Sequence, residues 1–151
     1  MTTEPNPFTD TLAQIRASID EPFESIRMTL DLHPADTLGD PADEGSAAWH
    51  LRHAAEVFRT HAHHLIGPET NDWPPLPTDA TKHLDAIETL RADAARVTEW
   101  ASEHLDPSAT VHYGRDLTVS DMLGVMLRHI VWHAAAAHYW CRWKRPSEPS
   151  D

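Results

Sequence analysis

Residues 118–144 read TVSDMLGVMLRHIVWHAAAAHYWCRWK. Within them Met122, Val125, Met126, His129, His133, Ala136 and Trp140 recur at steps of three and four. At about 100° per residue these side chains share one narrow arc of a helix. The spacing predicts a long helix that opens on Thr118 as N-cap, runs to about Lys144, and carries two histidines on its buried stripe.

Working outward, three more segments carry the same period. Phe8, Leu12, Ile15, Ile19, Phe23, Ile26 and Leu30 fall on one helical face. Pro22 lies inside that run and removes a backbone donor, so a kink or a helix restart is expected there. Residues 33–45 turn to Pro, Gly and Asp and read as a loop. A second helix is expected from Ser46, its N-cap, to Ile66, with Gly67-Pro68 ending it. The stretch 71–77 is too rich in proline for a helix or a central strand. A third helix, about Thr78 to Leu105, would place Leu84, Ile87, Leu90, Ala94, Val97, Ala101 and Leu105 on one stripe. Asp106-Pro107 and Gly114 mark the linker to the last helix, and the polar tail 146–151 is expected to fray into disorder. No segment alternates like a strand and no repeat is present. One all-α domain over residues 1–151, a four-helix bundle, is the expected fold class. Periodicity alone does not set its topology, because the three connections are of middling length.

Composition narrows the functional classes. The 151 residues carry 24 acidic side chains against 12 Lys and Arg, a formal net charge of −12. A field of that sign repels phosphate backbones, so no nucleic-acid partner is expected. No apolar run approaches the roughly 18 residues of a membrane span, and the polar start lacks a secretory pattern. No membrane association and a cytoplasmic location are the default expectations. Cys141, the one cysteine, excludes an internal disulfide and a cysteine-built zinc site. Twelve histidines and six tryptophans are the notable biases.

The histidines define the candidate chemistry. His129 and His133, at i and i+4 on the core-facing stripe, bring two imidazoles within reach of one metal ion. The plain alternative is a pair of core histidines bonded to other buried groups. His138, nine residues after His129, falls on roughly the opposite face and is excluded from the same ion. The second helix offers His50, His53, His61, His63 and His64. Its buried side is set by Ala47, Leu51, Ala54, Phe58 and Leu65, with His53 at the edge of that arc. Periodicity leaves His50, His53, His61 and His64 all able to face the interior.

Two stretches resemble the DinB/YfiT-like superfamily. Residues 46–58, SAAWHLRHAAEVF, resemble the family's second helix, where a histidine after a Trp-x-Leu-x pattern is the first metal ligand; it maps onto His53. Residues 117–123 with 127–133, LTVSDML and LRHIVWH, resemble its last bundle helix, which opens on a capping threonine and carries a His-x-x-x-His pair. That pair maps onto His129 and His133. The resemblance implies a DinB/YfiT-like four-helix bundle and a three-histidine metal site at His53, His129 and His133. The ion would be zinc, nickel or iron, which the ligand types do not separate.

One departure is clear: Ala134–Ala137 replaces the polar Arg-Gly-Gln-like run of many members. It weakens the case for activities that need those groups. It also admits a frame in which His133 pairs with His138, against which the i,i+5 spacing argues.

Three protein ligands leave an open coordination position, the mark of a catalytic ion. The resemblance implies an S-transferase or related activity that activates a low-molecular-weight thiol on a small-molecule substrate. The alternatives are a hydrolase using metal-bound hydroxide and a non-catalytic bundle or dimerisation module. A homodimer agrees with the apolar helix flanks and with the resemblance. Assisting candidates are Glu56, one turn after His53, and Arg52 and Arg128, each directly before a proposed ligand. For all three a solvated flank charge is the plainer reading. Trp49, Trp132 and Trp140 are candidates to wall a pocket, with core packing an equal reading for Trp140. Cys141, two turns beyond His133, is expected to be a small buried side chain.

Overall fold

The computed structural model describes residues 5–67 and 83–143. Among them the chain is predominantly helical, with five α-helices and one small two-stranded sheet. The predicted tail at 146–151, the proline-rich stretch and the first residues of the predicted third helix lie outside the described residues.

The first amphipathic run is two helices, α1 (Thr9–Asp20) and α2 (Ile26–Leu32). Pro22 breaks the helix and Ser25 restarts it: its Oγ accepts from the Met28 amide at 3.1 Å, and its hydroxyl donates to the Glu21 carbonyl. The break rotates Phe23 off the stripe. Expected in the core, Phe23 is instead 79% exposed, whereas Ile26 is fully buried once the helix resumes. A short 3-10 turn, Ala35–Thr37, leads to Leu38, which is buried and accepts from the Ala48 amide at 2.8 Å.

Helix α3 (Ala47–Ile66) starts where the sequence places it. Ser46 Oγ accepts from the Trp49 amide at 3.1 Å and its hydroxyl donates to the Asp40 carbonyl at 2.7 Å, so one side chain both caps the helix and anchors the loop before it. Gly39 in that loop has φ +84°. A Cβ there would sit 2.9 Å from Ser46 Cβ and 3.0 Å from the Trp140 ring, so glycine is what lets the loop lie against the last helix.

Helix α4 (His83–Glu103) buries Ile87, Leu90, Ala94, Val97 and Ala101 as expected. Leu84 and Leu105 are exposed: one projects at the helix's first turn, the other lies past its end. The linker holds what periodicity missed, an antiparallel hairpin of β1 (Thr110–His112) and β2 (Asp116–Thr118), with Thr110 opposite Thr118. Three-residue strands are too short to show an alternating pattern. Gly114, at φ +69°, turns the chain between them. Thr118 then caps α5 (Val119–Trp143), its Oγ1 accepting from the Asp121 amide at 3.0 Å.

The long helices form a closed circuit of neighbours: α1 on α5, α5 on α3, α3 on α4, and α4 back on α1. Helix α5, with neighbours on two sides, buries a wider face than one stripe. Met122, Met126 and His133 are buried, but so are Leu123, Ile130, Ala134, Ala137 and Cys141, while Val125, Ala136 and Trp140 are only half-buried. Between α3 and α4 an ion pair is set into the core. Arg59 donates to Asp93 through Nε at 2.9 Å and Nη2 at 3.1 Å, and Asp93 is 3% exposed. Burial raises the Asp93 pKa and the Arg59 guanidinium pulls it back down. Among the described residues no helix is long and apolar enough to cross a membrane.

Candidate metal centre

The first half of α3 and the middle of α5 pack side by side, and their facing histidines meet. One ring nitrogen each from His53, His129 and His133 lies within 4.8 Å of the others. Ring centroids are 4.4 Å apart for His129–His133, 4.9 Å for His53–His133 and 5.6 Å for His53–His129. Tetrahedral zinc at its usual bond length holds its nitrogens about 3.3 Å apart, so closing on an ion needs a contraction of roughly 1–1.5 Å, within reach of rotamer adjustment.

The hydrogen bonds around the cluster leave nitrogens for an ion. His133 Nδ1 lies 2.8 Å from His50 Nδ1, and its Nε2 is open to a ligand when His133 is the donor. His129 Nε2 is buried with no hydrogen-bond partner, an arrangement that costs stability unless something binds it. The His53 ring stacks flat on Trp49, centroids 4.6 Å apart and planes 9° apart. The three donors therefore fit a transition-metal ion: three imidazoles, converging, one of them otherwise unsatisfied.

For the two histidines of α5 the electrostatics favour the neutral form that a ligand requires. The His133 pKa is pushed down to about 3, first by burial, then by its neighbours His129, His53 and His50. His129 is lowered by burial and then by His53.

The assisting candidates divide by position. Glu56 Oε2 lies 4.0 Å from His53 Nδ1, and its other oxygen accepts from Arg52 Nε at 2.8 Å. Glu56 and Arg52 thus form a half-exposed pair beside the first ligand. Arg128 is exposed, lies against Gly124, and lines an outer cavity of about 620 Å³ with Gln14, Leu127 and Trp132. Trp132 is 71% exposed on that outer face rather than walling the centre. Trp49 does sit against the histidines. Cys141 is buried two turns on. His138 joins a different partner, with its ring 5.6 Å from that of His33.

Two neighbours of the centre were not singled out by periodicity. His50 is one turn before His53 on α3, and that i,i+3 spacing was the available signal. His61, two turns after His53, is 5% exposed, and its ring is 6.3 Å from that of His129 and 5.0 Å from that of Tyr113. Its pKa is lowered to about 4 by burial, then by His129 and His64. Tyr113 reaches it from the hairpin turn, which the sequence reading lacked. Comparison with protein-family models, with curated proteins and with solved structures finds no match.

Proposed function

We propose that this chain is a DinB/YfiT-like four-helix bundle that holds a divalent transition metal at His53, His129 and His133 and uses it to activate a low-molecular-weight thiol for transfer to a small-molecule electrophile. The observation that carries the reading is the convergence of three imidazoles from two helices, with His129 and His133 biased by burial toward the neutral form. The two stretches that resemble the family, residues 46–58 and residues 117–123 with 127–133, supply those three side chains.

A three-imidazole set contributes no negative charge. A divalent ion held there keeps its full charge and draws an anionic ligand, lowering the pKa of a bound thiol toward neutrality. What the chain's own residues do follows from their positions. Trp49 holds the His53 ring by stacking and presents an apolar surface beside it. The Arg52–Glu56 pair sets a polar edge at the same ligand. His53, one-third exposed, keeps the centre in contact with solvent and substrate.

Spectroscopy on cobalt-loaded protein tests the reading. Titration with 2-mercaptoethanol should raise a saturable sulfur-to-cobalt charge-transfer band that the His53→Ala, His129→Ala, His133→Ala triple variant lacks. Cobalt bound at the histidines with no such band at any thiol concentration would overturn thiol activation and leave the metal centre standing.

A further inference from the structure

The first turn of α3 does more than start a helix. Ser46 fixes that turn through its cap, and the turn places His50 against His133 across the helix interface. The two Nδ1 atoms are 2.8 Å apart, the ring centroids 5.0 Å, and the planes are tilted by 42°. One Nδ1 must donate and the other accept. If His133 donates, its proton is on Nδ1 and its Nε2 carries the free lone pair. If His50 donates, His133 is protonated on Nε2 and neither of its nitrogens is open to an ion. The same contact therefore permits or blocks a metal according to its direction.

We propose that His50 is a positioning residue for the metal centre: it accepts the Nδ1 proton of His133, fixes that ring's tautomer and orientation, and so presents Nε2 to a divalent transition metal. The proposal rests on the metal centre described above and adds a fourth histidine to it. In known metal sites this orienting partner is usually a carboxylate, a backbone carbonyl or water. Among the described residues the cluster has Glu56 near His53, while the partner of His133 is an imidazole. A neutral partner adds no negative charge to the ligand set, so it orients the ring without weakening the pull of the ion on an anionic substrate.

One turn earlier on the same helix, His129 Nε2 is among the buried histidine nitrogens without a hydrogen-bond partner. His50 reaches the exterior on its other side, where it lines a cavity of about 270 Å³ with Gly45, Ala136, Tyr139, Trp140 and Trp143.

Competition for zinc against a chelator, on full-length protein, measures the effect. His50→Ala should weaken zinc binding about 10- to 100-fold. His50→Asn, whose side-chain carbonyl oxygen can take the place of Nδ1 as acceptor, should restore most of it. Long-range nitrogen–proton NMR of the metal-free parent reads the tautomer directly, without a variant, and should show His133 protonated on Nδ1. An unchanged or tighter affinity in His50→Ala, or a His133 proton on Nε2, overturns the proposal while zinc uptake by the parent upholds the centre. A parent that takes up no zinc overturns both.

Discussion

Acidifying the metal-free protein from pH 7.5 to 5 should destabilise it by about 4 kcal/mol, and two side chains account for the figure. In the unfolded chain a histidine takes up its proton near 6.5. In the folded protein His133 is held down to about 3 and His61 to about 4, in both cases chiefly by burial. Both folded values lie below the unfolded one. Their stabilising contribution is therefore complete above pH 6.5 and is lost as pH falls toward 4 and then 3. At pH 5 each unfolded histidine sits about 1.5 units below its pKa while the folded ring stays neutral, which is about 2 kcal/mol per group. Asp93 runs the other way, because burial raises its pKa and its protonation relieves a penalty. Against a total stability of roughly 5–15 kcal/mol the loss is large. Urea unfolding of chelator-treated protein at the two pH values reads it as a lower midpoint at pH 5. His61→Leu should remove about half of the pH dependence. Equal midpoints at pH 7.5 and 5 would refute the burial of neutral imidazoles at these positions.

Other perturbations have equally definite outcomes. Arg59→Leu leaves Asp93 buried without its partner, and urea unfolding should show a loss of about 3–5 kcal/mol. The Arg59→Leu, Asp93→Leu double variant should recover much of it. Gly39→Ala forces a side chain into a left-handed backbone against Ser46 and Trp140, and calorimetry should record a destabilisation of about 1–3 kcal/mol. Trp49→Leu removes the ring stacked on His53, so the quenching of tryptophan fluorescence by added copper should shrink sharply relative to the parent. Ser46→Ala removes the cap of the helix that carries His50 and His53, and thermal unfolding should show a loss of about 1 kcal/mol.

The long helices were legible because each carries its own period. Leu51, Phe58, Leu90, Val97, Met122 and Met126 are buried as their spacing requires. The break at Pro22 was legible as well, since a missing amide donor leaves few options. Its consequence was not: the face presented by Phe23 depends on how the chain restarts at Ser25. The hairpin escaped notice because Thr110–His112 and Asp116–Thr118 are too short to alternate, and their pairing is set by Gly114 and the neighbouring helices. The outward position of Trp132 follows from which helices flank α5, which periodicity does not encode.

The centre was partly legible for a similar reason. The spacing of His129 and His133 on one helix places two imidazoles together whatever the rest of the fold does. Choosing among His50, His53, His61 and His64 required knowing how α3 is rotated against α5. His53 meets the pair, His50 contacts His133 from one turn earlier, and His61 packs beside His129 from two turns later. Tyr113 enters only through the hairpin.

The most direct test of the metal centre is metal content by plasma emission on protein purified without a histidine tag, beside the His53→Ala, His129→Ala, His133→Ala variant. Near-stoichiometric zinc, nickel or iron in the parent and none in the variant is the result expected. A parent that arrives empty and refuses all three ions when they are added would contradict the centre and leave three buried or half-buried histidines in a helical core.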